Sequence, residues 1–204
     1  MSDRYATFDC YGTLIDWNGG LRAALGSDEL LARYHEVEHE VEREQPGLPY
    51  RDVLTETARR IGALDPEAPA RTLPQWQPFP EVRGALEEAR AGGWRLAILS
   101  NTDRDFIDAS MGLIGVEFEL AIVASEIGSY KPDHGHWRAF ERTTGKLPDV
   151  HVGASLFHDI APANELGLPN VWVNRLGEAA EPQPTRELPE LSRLPRVLQE
   201  LAPV

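Results

Sequence analysis

Hydrophobic positions along this chain fall into short runs that alternate with helical stripes. Trp94-Arg95-Leu96-Ala97-Ile98-Leu99, Val150-His151-Val152-Gly153 and Asn170-Val171-Trp172-Val173 are short, apolar or β-branched, and bounded by Gly, Pro, Ser or Asn. They predict buried strands, with Leu120-Ala121-Ile122-Val123 as a weaker fourth. An earlier run, Tyr5-Ala6-Thr7-Phe8, reaches Asp9 and then Gly12 and Thr13, the pattern of a strand ending in a tight loop. Between the runs, Val82, Leu86 and Ala89 stand at helical spacing from Pro80 to Arg90, and Gly92-Gly93 supplies a stop. Asp133 to Thr144 and Ala161 to Leu166 repeat the helical pattern, the second ended by Gly167. Strands alternating with helices predict an α/β fold, a doubly wound parallel sheet with right-handed crossovers.

Residues 17–79 break the alternation. Leu30, Tyr34, Val37 and Val41 form an apolar stripe ended by Gln45-Pro46-Gly47, and a second helix is expected from Tyr50 to Ile61. Arg71 to Phe79, holding Pro74, Trp76 and Pro78, reads as the return to the sheet. The block is expected to be a helical cap inserted after the first strand, with residues 1–16 and 80–204 forming the core domain. Gly177 to Pro189 is rich in Glu and Pro and predicts an exposed loop, followed by a short helix over Leu191 to Leu201.

Composition narrows the class. The 204 residues are 42% hydrophobic and 26% charged, enough for one sizeable core. A net charge of −13 argues against a nucleic-acid partner, since no basic face meets phosphates. No apolar run approaches a membrane span, so no membrane partner is expected. The single Cys10 and a first strand that begins almost at once predict a cytoplasmic protein.

Four polar sites fall at the carboxyl ends of successive strands, where open α/β sheets place their chemistry. Asp9 with Thr13 follows the first, Ser100-Asn101 the second, Lys131 in Ser129-Tyr130-Lys131-Pro132 the third, and Asp159 the fourth. Each alone is weak, because Lys-Pro is common in turns and Ser-Asn after a strand often only caps a helix. Their order and placement together are specific. A carboxylate such as Asp9 can serve as a covalent nucleophile. His35 and His39 stand four apart and invite a metal reading, but the surrounding Glu36, Glu38, Glu40 and Glu42 suggest a solvated helix face. His134, His136 and His151 show no partner pattern, and His158 neighbours Asp159.

The set resembles the haloacid dehalogenase superfamily, whose members combine a Rossmann-like doubly wound core with an inserted helical cap. Phe8-Asp9-Cys10-Tyr11-Gly12-Thr13-Leu14, Leu99-Ser100-Asn101 and Ser129-Tyr130-Lys131-Pro132 look most like the L-2-haloacid dehalogenases. Phosphatases of the superfamily usually carry an acid where this chain has Tyr11, to protonate the leaving alkoxide. A halide needs no proton. Phosphatases also tend to have Gly-Asp-Ser at Gly153-Ala154-Ser155, a carboxylate that helps hold Mg²⁺.

The resemblance therefore implies metal-independent hydrolysis of short (S)-2-haloacids, with no cofactor, and family members often form homodimers. It implies Asp9 as nucleophile, Lys131 keeping Asp9 ionised, Asp159 orienting Lys131, and Thr13 fixing the Asp9 rotamer. Ser100 would hold the substrate carboxylate, Tyr11 would wall the pocket, and Asn101 with a cap arginine would receive the halide. Arg33 is the expected cap arginine, with Arg22 competing. Ala154 and Leu156 depart from the Ser and Asn common in known dehalogenases, so contacts around Lys131 or Asp9 are expected to differ. Two alternatives stand beside this reading. One is a Mg²⁺-dependent phosphatase of a small metabolite, against which Tyr11 and Ala154 argue. The other is a catalytically weak binding protein, against which Asp9, Ser100, Lys131 and Asp159 argue.

Overall fold

The computed structural model describes residues 3–45 and 47–202. Pro46, within the expected helix stop, lies outside the described residues. Six strands form one parallel sheet: β1 (Arg4–Phe8), β2 (Trp94–Ser100), β3 (Leu120–Val123), β4 (Val150–Gly153), β5 (Asn170–Val173) and β6 (Arg186–Leu188). Their spatial order is β3-β2-β1-β4-β5-β6, every neighbouring pair parallel. The chain runs outward from β1 through β2 to β3, then crosses to the other side of β1 for β4. That reversal opens a crevice at the carboxyl ends of β1 and β4.

Both faces of the sheet are covered, so its strands read as apolar runs. Side chains alternate with the period of two that a pleated strand imposes. Ala6, Phe8, Leu96, Ile98, Val150 and Val152 point to one face, where they meet α5 (Val82–Ala91), α6 (Arg104–Ile114) and α10 (Leu194–Leu201). Tyr5, Ala97, Leu99 and Ile122 point to the other, against Trp137 and Phe140 of α8 (Gly135–Thr144) and Ala163 of α9 (Ala161–Glu165). A short helix, α7 (Ala124–Ile127), follows β3.

Between β1 and β2 lie four helices: α1 (Trp17–Leu25), α2 (Asp28–Glu44), α3 (Tyr50–Arg60) and α4 (Ala68–Thr72). Capping explains two of their starts. Asp16 accepts from Gly19 N at 2.9 Å and Ser27 from Leu30 N at 3.3 Å, each satisfying a free helix N–H. The start of α3 is capped from across the molecule, where Asp103 accepts from Tyr50 N at 3.0 Å and Arg51 N at 3.1 Å. Tyr130 Oη adds a second tie, donating to Leu48 O at 2.7 Å. Leu31, Tyr34 and Val41 of α2 pack with Tyr50, Val53, Leu54 and Ala58 of α3 in a core continuous with that of the sheet. Gly20 is required where α1 meets Trp76, since a Cβ there would lie 2.2 Å from the indole.

Five elements depart from the expectations: α1, α4, α6, α7 and β6. None of the four helices is among the expected ones, although Asp16 and Gly26 bracket α1 and Phe106, Ile107, Ser110 and Ile114 stripe α6. Strand β6 lies inside the expected loop of Gly177 to Pro189. Its three residues carry no strand signature of their own; pairing with the edge of β5 and burial of Leu188 create it.

Candidate active site

The turn after β1 places Asp9 over the crevice. Gly12 adopts φ +88°, a conformation costly for any side chain, and lets Leu14 N reach back to Cys10 O at 2.7 Å. Asp9 N donates to Val152 O at 2.9 Å, so the backbone leaves β1 still tied to β4. Thr13 then folds under the carboxylate. Its Oγ1 donates to Asp9 Oδ2 at 2.8 Å and accepts from Ala154 N at 2.9 Å, which leaves the Asp9 side chain one orientation.

Lys131 enters from the loop between α7 and α8, beyond the carboxyl end of β3, and is 2% exposed. Its ammonium donates to Asp9 Oδ1 at 2.9 Å and to Asp159 Oδ1 at 2.7 Å. Asp159 sits on the π-helical turn Leu156–Ile160 after β4 and accepts from Ser155 N at 3.1 Å. Gly153 makes that approach possible, because a Cβ there would lie 2.4 Å from the Asp159 carboxyl. Behind it, His151 Nε2 stands 3.3 Å from Asp159 Oδ1 while Nδ1 stands 2.9 Å from Thr7 Oγ1.

The charges in this chain of contacts are unequal. Burial pushes Asp9 above its ordinary value, against the downward pull of Lys131 and Thr13. Lys131 thus acts in the expected direction, favouring the ionised form of Asp9, and burial opposes it with the larger effect. For Asp159, burial is outweighed by Lys131 and His151 together, and the carboxyl is held well below the carboxylate range. Burial likewise lowers Lys131, but Asp159 and Asp9 outweigh it and raise the ammonium above its ordinary value.

Ser100, Asn101 and Tyr11 also line the cleft, which encloses about 400 Å³. His136, held neutral by burial with a value near 3, braces the Ser100 carbonyl at 3.0 Å. Asn101 has a task not expected of it. Its Oδ1 accepts from Lys131 N at 2.6 Å and its Nδ2 donates to Lys131 O at 2.9 Å, a two-point clamp on the lysine backbone. Tyr11 Oη stands 3.0 Å from Ser110 Oγ, and its ring stacks on Tyr50 at 6.3 Å. Burial first, then the neighbouring charges, pushes this phenol well above its ordinary range, so it is a poor proton donor.

The cap arginine is corrected by the structure. Arg33 is exposed and lines no part of the cleft, and Arg22 pairs with Asp28 at the surface. The cleft-facing side of α2 carries His35, Glu38, His39 and Glu42, at helical spacing. Arg33 stands two residues from His35, about 200° around the helix, and so faces away. For the same reason the glutamates are not one solvated face. Glu36 and Glu40 are exposed, but Glu38 and Glu42 turn inward. Tyr50 Oη, itself accepting from Trp17 Nε1 at 3.2 Å, donates to Glu38 Oε1 at 3.3 Å. Burial, then the charge of Glu42, pushes Glu38 well above the carboxylate range.

Sequence reasoning also missed Trp17, Asn18, Tyr50 and His151. The first two directly follow the Asp9 loop, a signal that was available. His151 lies inside an apolar strand and carries none.

A divalent cation at Asp9 would need several oxygen ligands in near-octahedral array. Few side-chain oxygens at the crevice are uncommitted. Lys131 occupies the gap between the two carboxylates, Ala154 offers no side-chain oxygen, and both Asp159 oxygens are engaged by protein donors.

A family model described as haloacid dehalogenase-like hydrolase matches residues 4–167. The chain is 31% identical over 139 residues to an (S)-2-haloacid dehalogenase of Pseudomonas sp. strain YL, covering 64% of this chain and 59% of that one. It is 37% identical over 106 residues to haloacetate dehalogenase H-2 of Moraxella sp. strain B, covering 50% of this chain and 47% of that one. The chain thus spans about half the length of these two relatives. An L-2-haloacid dehalogenase structure from Xanthobacter autotrophicus, with chloropropionic acid covalently bound, superposes with a TM-score of 0.84 at 19% identity. That superposition covers 98% of this chain and 100% of the other.

Proposed function

The chain belongs to the haloacid dehalogenase-like hydrolases, and on that premise we propose that it hydrolyses the carbon–halogen bond of short (S)-2-haloacids without a metal. The observation that carries this reading is the position of Lys131 Nζ, 2.9 Å from Asp9 and 2.7 Å from Asp159. An ammonium there neutralises the nucleophile's site and fills the space a metal would need. The names of the relatives above support the same class of substrate.

Asp9 attacks C2 in line, the carbon–halogen bond breaks, and halide leaves with its electron pair. The result is an aspartyl ester. Water then adds to the ester carbonyl of Asp9, the carbonyl carbon–ester oxygen bond breaks, and a 2-hydroxy acid departs, inverted at C2. One water proton goes to the new hydroxyl and the other to solvent. Thr13 and Lys131 hold the carboxylate in its attacking rotamer. Asp159, supported by His151, holds Lys131. Ser100 and its loop receive the substrate carboxylate. The free N–H of Asn101 Nδ2 meets the departing halide, in place of an arginine. Tyr11 walls the pocket, and the helical block of residues 17–79 acts as the cap that excludes water.

Multi-turnover hydrolysis of (S)-2-chloropropionate in ¹⁸O-water, followed by peptide mass analysis, tests this. Label in the peptide holding Asp9, with chloride release undiminished by EDTA, is the expected result. An unlabelled Asp9 after many turnovers would sink the ester mechanism.

A further inference from the structure

At the mouth of the cleft, His39 and Glu42 of α2 meet His158 of the π-helical turn Leu156–Ile160. One ligand atom from each lies within 4.8 Å of the other two. We propose that these three side chains bind a divalent transition-metal ion of the Zn²⁺ type, which joins the helical block to the core. The site is distinct from Asp9, and no step of the proposed hydrolysis runs through it.

Three observations support it. The first is spacing. His39 and Glu42 are three apart, so they share a helix face, with Nδ1 3.8 Å from Glu42 Oε2. His158 Nε2 reaches the same oxygen at 3.5 Å from the core side. Bonds of about 2.0–2.2 Å in a tetrahedral site put ligand atoms roughly 3.3–3.6 Å apart. Movements within reach of side-chain rotation would bring all three onto one ion.

The second is the state of His158. Its Nε2 is buried and makes no hydrogen bond, although it faces Glu42. A buried ring nitrogen with only a long contact to a carboxylate is weakly satisfied, and a metal ion lying between the two is a partner both can take. The third is how that ring is held. Ser155 Oγ accepts from His158 N at 3.0 Å and lies 3.3 Å from Nδ1. A hydrogen bond at one ring nitrogen fixes the tautomer and leaves the other free to ligate, the usual support for a metal-bound histidine.

Ligand chemistry selects the ion. Two imidazoles and one carboxylate suit Zn²⁺, Co²⁺ or Ni²⁺ rather than Mg²⁺ or Ca²⁺, which prefer all-oxygen sets. Three protein ligands leave a coordination position for water. The ion would bridge an element of the helical block and one of the core, so binding favours the arrangement in which the two meet. The two histidines four apart in sequence are not the pair assembled here. His35, four residues before His39, turns instead against Trp17, 5.1 Å between ring centroids.

The test is a calorimetric titration of untagged, EDTA-stripped protein with Zn²⁺, and a parallel titration with Co²⁺ followed by its visible absorption. One equivalent is expected to bind, with intense Co²⁺ bands from a low-coordinate nitrogen–oxygen site and a raised melting temperature. His39→Asn, Glu42→Gln and His158→Asn should each weaken binding beyond the roughly 10–100-fold that loss of a mere supporting partner costs. Exposed Arg33→Ala on the same helix should leave binding unchanged. Metal-free melting curves identify any variant that fails to fold, and the other two then carry the comparison. No uptake at micromolar ion overturns the proposal, as does wild-type affinity in the folded variants. Binding lost instead through Asp9→Asn or Asp159→Asn would place the ion elsewhere and also overturn it. Because the readouts need no turnover, they are independent of the haloacid reading.

Discussion

On the sheet side of the cleft, Lys131 stands between two carboxylates, 2.9 Å from Asp9 and 2.7 Å from Asp159. On the helical side, Glu38 and Glu42 face inward beside His35 and His39, and among the described residues no arginine lines the cleft. The sheet side is a fully paired cluster whose parts come from four strand ends. The helical side is an acidic, imidazole-bearing surface whose character follows from the rotational phase of one helix. Strand ends converge because the topology brings them together, so their chemistry is insensitive to small errors of register. A helix face changes identity with each 100° step per residue.

The largest effect that would sharpen this contrast is loss of the nucleophile. Asp9→Asn should lower kcat for chloride release by on the order of 10⁴-fold, with cooperative melting retained. Residual turnover near the parent rate would move the chemistry away from the sheet side. Lys131→Met comes next, since it leaves two buried carboxylates facing each other. Breaking a buried pair by removing one partner costs about 3–5 kcal/mol, measurable as a lower urea midpoint together with lost activity.

Thr13→Val should be milder. It leaves Ala154 N–H without its acceptor, a cost of about 1–3 kcal/mol, and it frees the Asp9 rotamer, so kcat should fall more than KM rises.

The pH dependence follows from the shifts already described. Asp9 must be ionised to attack, and burial raises its value. As pH falls through that raised value, kcat/KM should drop with unit slope, at a pH above the ordinary aspartate range. Asp159, depressed, and Lys131, raised, keep their charges throughout the neutral region. The stability that Asp159 contributes is complete above its unfolded value and is lost only as pH falls towards its depressed folded value. A basic limb in halide release near neutrality would contradict this assignment for Lys131. The smallest expected effect is that of Arg33→Ala, which should alter halide release and stability by no more than about 0.5 kcal/mol. A large rise in KM from this variant would restore the cap-arginine expectation.

Much of the fold was legible because buried parallel strands announce themselves as short apolar runs. Val150–Gly153 and Asn170–Val173 match their expected bounds. Strand β6 was not legible, since Arg186-Glu187-Leu188 becomes a strand only by pairing with an existing edge. At the site, Asp9, Thr13, Ser100, Lys131 and Asp159 could be picked out because each follows a strand, and position relative to a strand end is a property of sequence. Their roles could not be read as fully. Asn101 was expected to face the substrate, and it lines the cleft while its amide also grips both backbone groups of Lys131.

The order of strands and polar sites along the chain was enough to specify a doubly wound sheet and a cluster of acid, hydroxyl and amine at one edge of it. That follows because hydrophobic periodicity and turn residues are local, and the sheet's topology then has few solutions. Two things were settled by packing in three dimensions. One is the balance of charge at Asp9, since the burial that raises its value depends on everything around it. The other is which residues of α2 look into the cleft. The seating of Leu31, Tyr34 and Val41 in the core fixes the helix's phase, which turns Arg33 outward and brings His39 and Glu42 to His158.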